Sequence, residues 1–400
     1  MICRHVLLYL FVSASVALAD GAFIPPEYGT AGSADQRAIV IDHGATQTLL
    51  LETAYQGDGA GFAWVVPLPT LIEAAGIGTV DQSVFAGLED LTAPRAWIGS
   101  GVSGGGSGCG SCGGGGTQLG GGYDNADGRA GVTVWETLQI EGYEVTILSA
   151  DESGDLAKWL TDNGYALPDG NETTLQYYVD SGAFFVAVKI VPQQAAAAAQ
   201  VSKAEAVGAT QPLRFTFPKG ADGLVFPLRI SQASSKGETE VRLFVFSDHR
   251  VASSSYPTAE VNASGYQGRQ EFRQWYDARF RAKLGDLGGR AFVVEWAKPL
   301  PEWGVSTELR QVLGDGEFFL TRMRSYLTPE LMSEDVLLAR AATDDEFEVD
   351  IYVGAQLGMR PFGGFGAMLM AGVFWRRTRT RRGRNGARFA ALLGMALLLL

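Results

Sequence analysis

Cys109-Gly110-Ser111-Cys112 is the first place in this chain to look for chemistry. Two thiols at this spacing close a local disulfide, run a redox cycle, or supply half of a metal site. A redox thiol needs a helix N-terminus to lower its pKa. Poly-Gly follows Cys112 and cannot build that helix. A tetrahedral zinc site needs two further ligands, and His43 with His249 completes a Cys109, Cys112, His43, His249 set arithmetically. That set asks one loop to reach two distant strands. In an exported chain the default is the Cys109–Cys112 disulfide, whose short loop adds little stability.

The other motifs are weaker. His43 follows Asp42 and His249 follows Asp248, but neighbours on a strand point to opposite faces. Solvated turn residues are the plainer reading. Gly101-Val102-Ser103-Gly104-Gly105 matches G-x-S-x-G, yet a nucleophile elbow needs a strand before it and a helix after it. The acids at 123–128 and at Asp344-Asp345-Glu346 lack the regular spacing of a calcium loop. No catalytic residue and no cofactor emerges.

These residues hang on a strand-rich scaffold. Arg37 to Ile41, Thr46 to Thr53 and Phe62 to Val66 read as strands, the last stopped by Pro67 and Pro69. Helical spacing marks Asp81 to Leu91. Fourteen of the 24 residues from Gly99 to Gly122 are Gly, so this insertion is expected to be a disordered loop. Val132 to Ile140 and Glu144 to Leu148 flank a hairpin turn. Ser153 is expected to cap a helix carrying Leu156, Trp159 and Leu160, stopped by Asn163-Gly164. Further strands are expected at 184–191, 213–217, 224–230 and 240–246. Tyr266 to Leu284 carries an aromatic stripe read as core packing, and a last helix is expected near 328–339. The fold class is α+β and β-rich, with mostly antiparallel sheets and a few packed helices.

The ends and the charge set the compartment. The first 19 residues hold a basic start, an apolar stretch and a small-x-small Ala17-Leu18-Ala19, the pattern of a secretory signal. The 400 residues carry a net charge of −12, which argues against nucleic acid as a partner. All 44 acids lie between Asp20 and Asp350, against 24 basic residues in 20–375, leaving that body at −20. The tail is opposite in character. Thirteen apolar residues end at Trp375; Arg376, Arg377, Arg379, Arg381, Arg382, Arg384 and Arg388 follow; twelve apolar residues close the chain. Neither run alone reaches the roughly 20 residues of a spanning helix. The pattern fits an anchor, an interfacial segment on anionic lipid, or a removable sorting tail. The expected plan is a signal at 1–19, an ectodomain at 20–355 with the insertion at 99–122, and a membrane-associated tail at 356–400.

Several segments together resemble a known family. They are Phe62-Ala63-Trp64-Val65-Val66-Pro67-Leu68-Pro69, then Trp159-Leu160 with Asn163-Gly164-Tyr165, then Phe319-Leu320-Thr321-Arg322 before Leu327-Thr328 and Asp335. The arrangement is similar to the bacterial exported family called domain of unknown function 2330. The resemblance implies an envelope location, often a C-terminal anchor, and no established activity. The expectation is a non-enzymatic body at the periplasmic or cell surface that binds or scaffolds an envelope protein or glycan. The alternatives are an envelope hydrolase and the metal module. Trp64 and Trp159 are expected as core anchors.

Overall fold

The computed structural model describes residues 22–24, 31–32, 36–52, 54–57, 62–98, 131–141, 143–163, 172–190, 207–209, 211–235, 237–268, 270–301 and 305–353. Contacts group the chain into two units, Met1–Val353 and Gly354–Leu400, and every described residue belongs to the first.

In chain order the strands β1 (Ala22–Ile24), β2 (Ala31–Gly32), β3 (Gln36–Asp42), β4 (Thr46–Glu52), β5 (Ala54–Gly57), β6 (Phe62–Leu68) and β7 (Ile77–Thr79) come first. Helix α1 (Ser83–Thr92), β8 (Arg95–Ile98), the hairpin β9 (Val132–Ile140) and β10 (Tyr143–Ala150), α2 (Ser153–Asp162), α3 (Glu172–Asp180) and β11 (Phe184–Ile190) follow. Next are β12 (Val207–Ala209), β13 (Leu213–Pro218), β14 (Leu224–Phe226), a 3-10 turn at Arg229–Ala233, β15 (Thr239–Ser247), β16 (Val251–Ser253) and β17 (Thr258–Glu260). The last are α4 (Phe272–Asp286), β18 (Phe292–Pro299), α5 (Thr307–Leu313), β19 (Phe319–Leu327), β20 (Val336–Arg340), β21 (Phe347–Glu348) and β22 (Asp350–Val353).

Two sheets carry the body. One runs β1-β6-β11-β10-β9 and is antiparallel throughout. The other runs β17-β18-β19-β15-β3-β4-β13-β7, with β21 beside β18. Strand alternation explains how they stack. Trp64, Val66 and Leu68 on β6, and Val186 and Val188 on β11, meet Val40, Leu49, Phe215, Leu243 and Met323 of the larger sheet in one core. The opposite side chains, Val65, Phe185 and Ala187, pack on Leu156 and Leu160 of α2 and Leu175 and Tyr178 of α3. The far face of the larger sheet, Ile39, Ile41, Leu50, Phe244 and Phe246, packs on α1 and α5. Next to them Val293 packs on Tyr276, Phe280 and Leu284 of α4. The result is four layers, helix on sheet on sheet on helix, which is the α+β, β-rich class expected.

Several expected boundaries move. β6 continues through Pro67, which pairs with Phe185 of β11; among the described residues β1 pairs no further along β6 than Val65. Ser153 caps nothing: Glu152 holds the cap position without a side-chain bond, and Ser153 Oγ donates to Gln176 instead. Residues 328–339 are not a helix. A 3-10 turn at Pro329–Leu331 leads into β20, which pairs with β14 and β16. The strand expected over 224–230 ends at Phe226. The stripe helix starts at Phe272, and Tyr276, Phe280 and Leu284 are its buried residues. Trp64 is fully buried, whereas Trp159 is only partly so.

Candidate functional site

At one end of the sandwich the ends of α3 and β6 and the turns beside β14 and β20 line a cavity of about 390 Å³. Its wall is Pro67, Leu68 and Pro69 at the end of β6, with Val225, Pro227 and Leu337 opposite. The end of α3 supplies Tyr177, Tyr178 and Ser181. The rim is the tight turn at 220–223, where Gly223 sits at φ 79°, a conformation that favours glycine. Spacing explains the α3 side: Leu175, Tyr178 and Val179 face the core, so Tyr177 is left 39% exposed at the mouth.

Asp335 is the centre of this site. It lies just before β20, between the buried Met332 and Val336. Its Oδ1 accepts from Tyr178 Oη at 2.5 Å and from the Arg229 N–H at 2.9 Å. Tyr178 Oη accepts in turn from the Ile230 N–H at 3.0 Å. Oδ2 accepts no hydrogen bond from the described residues. Protein packs closely around the carboxyl, and the residue, half-buried overall, lines the cavity. Burial raises its pKa to about 6, against the opposing pull of Tyr178 and Arg229. Burial first and the Asp335 charge second push the Tyr178 hydroxyl well above its usual range. Tyr178 is therefore a fixed donor, not an acid.

The remaining polar groups are held. Ser255 Oγ donates to Asp335 O and accepts from the Leu337 N–H, and Ser181 Oγ donates to Tyr178 O. Glu334 pairs with Arg290 at 2.9 Å. Arg229 stacks over the Tyr177 ring, 3.9 Å from its centroid. A wider groove of about 590 Å³ beside residues 260–264 and 347–352 opens broadly to solvent, and two of its three acids, Glu260 and Glu348, pair with Arg250 and Lys298.

A second charged cluster is structural. β18 carries a bulge at Glu295, so the ladder steps from Val294 to Trp296 and turns Glu295 into the sheet–helix layer. Its carboxylate accepts from Arg322 Nε and Arg324 Nε, each at 3.0 Å. Arg322 also meets Glu89 and Thr92 of α1, and Arg324 meets Asp277 of α4. Arg242 pairs with Glu89 and Glu240. Burial alone would raise the Glu295 pKa, but Arg324, Arg322 and Arg242 more than offset it and hold it below the usual range. The cluster ties α1 and α4 to the sheet.

The residues singled out by type fall elsewhere. Cys109 and Cys112, Gly101 to Gly105, the acids at 123–128, the signal, the Gly-rich insertion and the tail with Trp375 and its seven Arg lie outside the described residues. His43 and His249 sit in turns that leave the same end of the adjacent parallel strands β3 and β15. Asp42 serves Lys219 and the Gly44 N–H, and His43 packs edge-on to Phe318. Burial, more than the opposing Asp42 charge, lowers the His43 pKa. His249 Nδ1 contacts Asp248 within its own turn. Asp344 accepts from the Arg250 N–H and from Arg340, which makes it part of a surface ion pair. Among the described residues no group of three or more His, Cys, Asp or Glu is placed to hold a metal ion. No described helix is long and apolar enough to cross a membrane.

Of the cavity's residues the sequence marked Pro67 and Pro69 only as strand stops, and the helix that carries Tyr177 and Tyr178 was not expected; that adjacent aromatic pair is the signal that could have found it. Asp335 entered only through the family resemblance, with no role attached. No curated protein and no solved structure matches this chain. A family described as an uncharacterised protein conserved in bacteria does, over residues 14–339. That match takes in both sheets as far as β19, the five described helices and the whole lining of the cavity, and this chain belongs to that bacterial family, domain of unknown function 2330.

Proposed function

We propose that this chain is an exported envelope protein, held at the bacterial membrane by its C-terminal segment, whose folded body binds a partner and catalyses no reaction. The observation that carries the reading is the last element of the body. β22 pairs in parallel with β8, and the register sets Tyr352 beside Trp97. Tyr352 is 69% exposed and Trp97 52%. Two large aromatics side by side on a surface are typical of a membrane–water interface, where an apolar ring and a polar edge are both satisfied. From Val353 the chain runs on into the apolar, Arg-rich, apolar tail, so the pair stands where the body ends and the tail starts. The binding half of the reading is supported by the cavity. Its serines are committed to backbone partners and its tyrosine is a fixed donor, an arrangement that positions a guest better than it activates a nucleophile.

Fractionation of native cells tests this. The full chain is expected in the membrane fraction after a high-salt wash, starting at Asp20 by intact mass. A chain stopped after Val353 is expected in the soluble envelope fraction. A full chain recovered in the cytosol with Met1 intact would end the proposal.

A further inference from the structure

The cavity around Asp335 has a chemistry specific enough to name its guest. Three carboxyls line it, Asp222, Glu334 and Asp335, and no Lys or Arg does. Two built-in cations are close by: Arg290 pairs with Glu334 at 2.9 Å, and Arg229 gives its backbone N–H to Oδ1 but sends its guanidinium over Tyr177 and forms no ion pair with Asp335. Oδ1 therefore takes two donors, while Oδ2 accepts from no described residue, and Asp335 is part of the cavity lining. A single acceptor suits the compact charge of an ammonium better than the two-pronged face of a guanidinium, which needs both carboxylate oxygens. The walls above it, Pro67, Leu68, Pro69, Val225, Pro227 and Leu337, are hydrocarbon. A volume of about 390 Å³ is at the small end for ligand pockets, so the guest is short.

We propose that this cavity binds a protonated primary amine on a short apolar stem, with the ammonium on Asp335 Oδ2 and the stem against the proline wall. Tyr178 and the Arg229 N–H orient the carboxylate, and Asp222 at the rim draws the cation in. The inference rests on reading the body as a binding module. The amine can be free or can be the side chain of a lysine, since both present the same group.

The test uses the full chain in a zwitterionic detergent, titrated calorimetrically with hexylamine, hexanol and an acetylated, amidated Ala-Lys-Ala peptide at pH 7.5. Hexylamine, the peptide or both are expected to bind about tenfold or more tighter than hexanol. Binding by hexylamine alone identifies a free amine, and binding by the peptide identifies a lysine side chain. Asp335→Asn is expected to lose that preference. Ala221→Arg, an exposed rim change that places a competing cation at the mouth, is expected to weaken amine binding about tenfold and leave the fold alone. Equal affinity for hexanol, no binding of either amine at about 10 mM, or unchanged amine affinity in a folded Asp335→Asn or Ala221→Arg chain would each overturn the site. Consumption of the amine during titration would leave the site standing and instead sink the non-catalytic reading.

Discussion

Asp335 is ionised in a place that disfavours its charge. Its pKa in the fold is about 6, against 3.8 for the free group. The native state therefore holds this proton more tightly than the unfolded chain does. The resulting stability is full below about pH 4 and is lost as pH rises through about 6. The groups facing it are Tyr178 and Tyr177 on α3, Arg229 on the 3-10 turn, and Glu334 and Asp222 at the rim. Burial holds the Tyr177 and Tyr178 hydroxyls above their usual range, clear of that window. Asp335→Asn keeps an oxygen for Tyr178 and for the Arg229 N–H and places its amide where the cavity gives it water. It is expected to stabilise the chain by about 1–2 kcal/mol at pH 7.5 and by almost nothing at pH 4. Urea unfolding at both pH values reads this directly; equal effects at the two would refute it. None of this was legible from residue type. His43 and His249 drew notice because histidine does chemistry, whereas Asp335 gains its character from burial among elements distant in the chain, its partner Tyr178 lying 157 positions away.

At the scale of elements, what could be read in the sequence followed apolar alternation. β6, β10, β11, β13 and β15 were all visible because one or both faces meet hydrocarbon. β18 and β19 were not. Arg322 and Arg324 occupy the face of β19 that an alternating pattern would fill with aliphatic residues, and the Glu295 bulge shifts the phase of β18. A buried ion cluster looks like a surface until its partner strand is known. For the same reason its disruption is costly. Glu295→Ala leaves Arg322 and Arg324 buried without their shared acceptor, and a loss of about 3–5 kcal/mol is expected by chemical denaturation. The loss should shrink as pH falls far enough to protonate Glu295 in the parent chain, since a depressed carboxyl contributes only while ionised. A smaller effect is expected at α5, where Ser306 Oγ accepts from the Leu309 N–H at 3.1 Å. Ser306→Ala should cost about 1 kcal/mol. Residues 328–339 misled because Thr328-Pro329-Glu330 starts a helix well, but the β14 and β16 edges on either side claimed the residues that follow as a strand.

For the whole molecule the charge divides as the layers do not. The region 20–375 carries −20 and the tail seven arginines. An anionic bilayer repels the first and attracts the second, so the body stands off unless something holds it. Each Arg near such a surface contributes on the order of 1 kcal/mol, and the two apolar runs add burial that salt does not screen. Under the proposed tether, the exposed Trp97 and Tyr352 would extend the contact onto the folded body. Co-sedimentation with vesicles separates these contributions. The full chain is expected on phosphatidylglycerol vesicles about tenfold more tightly than on phosphatidylcholine, with the difference falling as salt rises. A chain stopped after Val353 should pellet with neither. Trp97→Ser with Tyr352→Ser should weaken binding about threefold to tenfold on both lipids, because rings at an interface act through area more than charge. If the double variant binds like the parent, the aromatic pair serves the body alone and the tail holds the membrane without it. If the shortened chain binds as well as the full one, the acidic body is itself the membrane-binding part and the tail is not the tether.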